Sequence, residues 1–477
     1  MKRFLAILLS CSLLVLSGCG EIKSPNAIDP ENPTEIEVWT YYNGAQQEAF
    51  ESLVNEFNQM GKDKGMYVKH SSLGEINVLA EEVIRAVKGE VGAKDTPNLA
   101  MIYPETAYAL VGMDALVNLD EYFSEKDLQK YIPSFLQEGR LTQDGFLYIF
   151  PVAKSTELLI INKTDWDKFA KETGANSKKL ETVEGITKTA EEYYTWTDLL
   201  TPEIPDDGKA FFGRDALDNY LYTGSAQLGQ EFFSIEGDTV SVNLNKDILR
   251  VLWDNYYIPF INGYFAAEGK FRSDDAKTGT IIAYVGSSAS VQYFPDKVTL
   301  PDDSSYPIEA MVLPAPYFKN ATVKYNPQQG AGFSAIKGTA AENQVAAEFL
   351  RWFTSPEKNM GFSVGSSYLP VTIEANDKAK LTAVFGEKAS LEKDALLLGA
   401  EVVRNGTLYV AKPFFGAADA RKILKSNLQT VVQNAQKSIE DEESNGISRK
   451  DSIRRLSSDE CFEEWYAIIS QEIKKVI

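Results

Sequence analysis

Short apolar runs of strand length alternate with amphipathic helical segments along this 477-residue chain, and that alternation restricts its body to an α/β architecture. Glu35–Thr40 alternates and is β-branched at the right places, so it reads as a strand. Behind Asn43, a candidate N-cap, Phe50, Leu53, Val54 and Phe57 recur at helical spacing and form one apolar face. Met66–Lys69 and Ile76–Val87 repeat the strand–helix pair. Asn98–Tyr103, flanked by Pro97 and Pro104, reads as a buried parallel strand. Further strands are expected at Glu157–Asn162, Thr280–Val285, Ala310–Leu313 and Gly330–Ile336. A helix is expected over Glu342–Phe353, and Ser355-Pro356 opens another, with Pro at its first position. Residues 172–192 and 300–306 read as polar insertions, 439–451 as a charged solvated segment, and the C-terminal third as mostly helical.

The N-terminus carries a different signal. Lys2 and Arg3 precede an apolar stretch from Phe4 to Leu16, too short to span a bilayer comfortably, so residues 1–18 read as a secretory leader. Leu16-Ser17-Gly18-Cys19 resembles a bacterial lipobox, which implies cleavage before Cys19 and its acylation. Several acyl chains on one cysteine anchor stably where one chain is marginal. Residues 19–34 hold three prolines and little apolar character and read as a lipidated tether. The expected location is the extracytoplasmic face of the cell membrane.

Composition removes several function classes. Lys and Arg number 48 against 68 Asp and Glu, a net charge of −20 that argues against nucleic acid as a partner. A single histidine, His70, and three cysteines, Cys11, Cys19 and Cys461, leave too few ligands for a His/Cys zinc centre. With Cys11 in the leader and Cys19 lipidated, Cys461 has no intramolecular disulfide partner; it reads as a small buried residue on the last helix. His70 reads as a surface strand residue, and no catalytic residue, cofactor or metal is expected.

Five stretches in order resemble the solute-binding proteins of ABC importers, in the group that includes the maltose-binding protein. They are EVWTYYNGAQQEAFESLVNEFN, TPNLAMIYPETAYALVGMDALVNLDEYF, YIFPVAKSTELLIINKTDW, GTIIAYVGSSASV and the long run from GAGFSAIKG to SSYLPV. The resemblance implies a two-lobed fold with three crossings between lobes. Lobe one is expected at 35–152 plus 285–326 and lobe two at 153–284 plus 327–477. It also implies a monomer that holds a solute, a carbohydrate or oligosaccharide, between the lobes and delivers it to ABC permease subunits. A cell-surface glycoside hydrolase and a sensory receptor without transport are the alternatives.

A sugar offers hydroxyls and apolar C–H faces, so its site combines carboxylates, amides and aromatic rings, and strand ends of an α/β sheet bring such groups together. Tyr41, Tyr42 and Asn43 follow the first strand, and Tyr103, Glu105 and Thr106 the third. Ser155 and Thr156 interrupt two apolar runs. The resemblance adds Asp215, Asn219 and Tyr222, then Ser287 and Ser288 where relatives often carry a stacking Trp, and Phe414 and Phe415, one to stack and one to pack. A phosphoester would call for an arginine or a helix N-terminus, and Arg214 is the candidate beside these residues.

Overall fold

The computed structural model describes residues 28–236, 239–386 and 389–477. The leader, Cys19 and the first part of the tether lie outside the described residues. From Ile28 onward the tether is docked: Ile28 packs on the first core, and Asp29 lies against the tight turn at Gly65. No helix among the described residues is long and apolar enough to cross a membrane.

Two four-stranded sheets organise the chain. In the first, β1 (Thr34–Thr40) lies parallel to β2 (Met66–Ser72) and to β3 (Leu99–Ile102), and the strand Gly332–Ala335 runs antiparallel to β3. The crossovers are α1 (Gly44–Gly61) and α2 (Ile76–Lys88). In the second, β4 (Glu157–Asn162) pairs antiparallel with both Ala283–Ser287 and Ala310–Pro314, and β5 (Phe212–Arg214) is parallel to Ala283–Ser287. Every residue of β3 and β4 is buried, as their unbroken apolar runs require of strands covered on both faces.

The pairing corrects the expected lobe boundaries. Leu313 pairs with Leu159, so the strand in 285–326 belongs to the second lobe. Phe333 pairs with Met101, and the helices Ala340–Phe353 and Pro356–Ser366 bury Phe349, Phe353 and Phe362 against Phe50, so 332–366 belongs to the first. Both segments are short apolar strands, and an apolar run does not encode which sheet it joins.

Two further expectations change. Residues 172–192 are no polar insertion: the helix Val183–Asp198 buries Val183, Ile186, Ala190 and Tyr193 in the second core. The segment 439–451 begins inside the long helix Ala417–Ser444, where Ile439 is buried.

The second core gathers Trp253, Tyr257, Phe462 and Trp465; Trp253 stacks on Tyr257 at 3.8 Å between ring centroids. Trp465→Ala would leave a large cavity there, with an expected loss of about 3–5 kcal/mol, read as a lower urea midpoint at unchanged slope.

Candidate ligand-binding cleft

In the first lobe, β1 and β3 end at the same edge of the sheet. Tyr41 follows β1, and its hydroxyl lies 3.2 Å from that of Tyr368. Tyr103 is the N-cap residue of α3 (Pro104–Gly112), whose first turn carries Glu105, a carboxylate favoured at a helix N-terminus. In the second lobe, Asp218 and Tyr222 lie one turn apart on the helix Leu217–Gln227, and Arg421 projects from the long C-terminal helix.

These groups meet. Arg421 Nη1 is 2.9 Å from Asp218 Oδ2, and its Nε is 3.6 Å from Glu105 Oε1. The guanidinium also sits 5.5 Å from the Tyr222 ring centre, within cation–π range. One arginine thus joins a carboxylate of each lobe. Burial opposes its charge, but Glu105 and Asp218 outweigh that and raise its pKa further above the usual arginine range. Burial lifts the Tyr103 and Tyr222 hydroxyls well above the ordinary phenol range, with Arg421 pulling both back. Both stay neutral and able to donate, and no hydrogen bond from either hydroxyl to the protein is present among the described residues.

Two of the chain segments that pass between the lobes, 153–156 and 327–330, pair with each other. Ser155 and Gln329 exchange backbone hydrogen bonds of 3.0 and 2.9 Å, and Thr156 Oγ1 donates to the Pro327 carbonyl. Lys154, fully buried, reaches back into the first lobe; its ammonium pairs with Glu138 and donates to the Gly330 carbonyl at 2.5 Å. Gly330 has φ +90°, and a Cβ there would meet the Ala153 carbonyl at 2.9 Å, so the close crossing requires glycine. The neighbouring Gln328 amide and Gln329 Oε1 are buried without a hydrogen-bond partner, a cost that water or a ligand would relieve.

The candidate residues divide accordingly. Tyr41, Tyr103, Glu105 and Tyr222 lie in or beside the cluster. Tyr42 is 1% exposed and packs on Phe50, Phe362 and Tyr368, so it is a core ring. Asn43 occupies the cap position of α1 without a side-chain cap bond and turns to the Gly74 carbonyl. Thr106, half-buried, follows Glu105 on α3, and no hydrogen bond joins its side chain to the cluster among the described residues.

Thr156 and Ser288 are spent on the hinge: Ser288 N donates to the Thr156 carbonyl at 2.7 Å. Ser155 contributes its backbone to the same pairing. Ser287 caps the short turn that follows it. Asp215 accepts from Arg272 N at 2.9 Å and secures the helix Arg272–Thr278. Asn219 donates to Glu157, which also pairs with Arg214 at 3.1 Å. Burial raises the Glu157 pKa, against the opposing pull of Arg214 and Asn219. Phe414 packs on Phe233, and Phe415 is 90% exposed.

His70 also departs from its expected place. Its side chain is 5% exposed, 2.8 Å from Thr40 Oγ1 and tilted over Phe50, so it is a buried packing residue. Cys461 is half-buried on the last helix. Among the described residues no group of three or more His, Cys, Asp or Glu could hold a metal ion.

Sequence reasoning missed Arg421, Asp218 and Lys154 with Glu138. Arg421 follows the named Phe414 and Phe415 by a few residues, and Asp218 lies between the named Asp215 and Asn219, but neither carries a spacing that marks it. A hollow of about 390 Å³ lined by Tyr317, Lys324, Tyr325, Glu401 and Asn405 shares no lining residue with the cluster.

The family model described as bacterial extracellular solute-binding protein matches residues 52–387. No curated protein matches the chain. Among solved structures, the cyclic alpha-maltosyl-1,6-maltose binding protein from Arthrobacter globiformis is 17% identical, with 93% of this chain and 99% of that one covered at a TM-score of 0.64. UgpB from Mycobacterium tuberculosis, in complex with glycerophosphocholine, is 17% identical, with 92% and 99% covered at 0.64. The maltose/maltodextrin-binding domain MalE from Bdellovibrio bacteriovorus, bound to maltotriose, is 14% identical, with 92% and 100% covered at 0.60. At these identities the likeness is one of fold.

Proposed function

The chain belongs to the bacterial extracellular solute-binding proteins, a family of extracytoplasmic binding proteins and not of enzymes, and on that premise we propose that it is a lipid-anchored receptor delivering a carbohydrate to an ABC permease. The observation that carries the ligand class is the cluster joining the lobes. Glu105 and Asp218 accept hydrogen bonds, and the remaining Arg421 donors and the Tyr103 and Tyr222 hydroxyls have no protein partner among the described residues. The half-buried Tyr103 ring can meet a sugar's C–H groups, while Tyr222 is buried against Phe232 and Phe233 and carries Arg421 over its ring. Lipid anchoring rests on the leader and Cys19. Proteins of this fold bound to maltotriose, mannotriose or acarbose support a saccharide.

The test is a thermal-shift panel of neutral mono- to tetrasaccharides, with chromatography of the recovered sugar. A ligand at about 100 times its Kd should add about 2.7 kcal/mol of stability and be recovered intact. No shift across the panel would overturn the carbohydrate assignment; a cleaved sugar would favour a hydrolase.

A further inference from the structure

Among the described residues, Lys154 pairs with Glu138, Arg214 with Glu157, and Arg421 with both Glu105 and Asp218. At Arg421 one cation therefore stands between two carboxylates. Lys154 and Arg214 are buried inside their lobes and hold their partners through further contacts, Gly330 and Asn219, so neither is free to turn toward a ligand. Arg421 is the exception in reach, its side chain 35% exposed. Its Nη1 is held by Asp218 at 2.9 Å, while Glu105 stands 3.6 Å from Nε, too far for a tight hydrogen bond.

We infer that Glu105 is a specificity-determining residue: it screens Arg421 from anionic solutes, so the cleft takes uncharged polyhydroxylated ligands and rejects uronates and phosphoesters. A vicinal diol meets the pair without disturbing it, one hydroxyl donating to the Glu105 carboxylate and the next accepting from the guanidinium. An anion that reaches Arg421 instead displaces Glu105 and leaves that carboxylate beside both the ligand's charge and Asp218. Like-charge juxtaposition in a partly desolvated site is what electrostatic specificity rests on. The inference depends on the receptor reading and adds the ligand's charge class to it.

The experiment is calorimetric titration of the wild type and Glu105→Gln with two sets of probes. The neutral set is the trisaccharides of glucose, mannose, galactose and xylose; the anionic set is trigalacturonate and glycerol 3-phosphate. The wild type should bind a neutral trisaccharide and take up either anion at least about tenfold more weakly. Glu105→Gln removes the screening charge and keeps the shape, so the ratio of anionic to neutral affinity should rise by about tenfold, with the anion's gain reduced by added salt.

An anionic probe bound more tightly than every neutral one by the wild type would overturn the inference while leaving the receptor intact. An unchanged ratio in Glu105→Gln would overturn it too. If neither set binds, the carbohydrate reading fails and the inference with it. Circular dichroism and the urea midpoint identify a variant that fails to fold; Glu105→Ala, which also removes the charge, then supplies the ratio.

Discussion

Arg421→Met is expected to separate the two halves of the cleft. The substitution keeps most of the aliphatic stem beside Tyr222 but removes the one cation between Glu105 and Asp218. Two carboxylates are then left facing each other across the lobes with nothing to neutralise them. Removing one partner of an ion pair in a desolvated cleft costs about 2–5 kcal/mol in binding, and the low end applies because the side chain is 35% exposed. Sugar affinity should fall about thirtyfold or more. Global stability should fall by less than the binding free energy does, since opened lobes let water reach both carboxylates. The small-angle scattering radius of the unliganded variant should increase, because the arginine is what ties Glu105 of the first lobe to the second. A variant with wild-type affinity would remove Arg421 from the site.

The second large effect is on the fold. Lys154 and Glu138 form a buried pair, their side chains 0% and 7% exposed. Lys154→Met leaves Glu138 buried and uncompensated, and the expected loss is about 3–5 kcal/mol at neutral pH. A double variant, Lys154→Met with Glu138→Leu, removes both charges and should recover most of the loss. Urea melts at pH 7 compare both variants with the wild type. A single variant as stable as the wild type at pH 7 would show the pair to be dispensable.

Much of the architecture was legible in the residues. Asn98–Tyr103 and Glu157–Asn162 stood out as apolar runs, and the strands they contain, Leu99–Ile102 and Glu157–Asn162, are buried on both faces. Pro356 opens its helix, as its fixed φ favours, although Ser355 makes no side-chain cap bond. The placement of Ala310–Pro314 and Gly332–Ala335 was not legible, because sheet membership is decided by partners about 150 and 230 residues away in sequence.

The site divides on the same grounds. Tyr103 and Glu105 stood out because they follow a strand end, and the structure places both beside Arg421. Tyr42 and Phe414 each sit beside another aromatic, and only the packing on Phe50 and Phe233 tells which of the two rings turns inward. Arg421 lies on the second turn of a long solvated helix, where a charged residue is ordinary, and its partners come from 203 and 316 positions away. Its role exists only after the lobes are assembled.

The central claim is that Glu105 and Asp218, joined by Arg421 between Tyr103 and Tyr222, receive an uncharged sugar. The most direct measurement is calorimetric titration of the neutral trisaccharide that binds the wild type into wild type and Arg421→Met side by side. The account predicts saturable one-to-one binding to the wild type, recovery of the intact sugar, and at least about a thirtyfold loss in the variant. Equal affinity for the two proteins would contradict it.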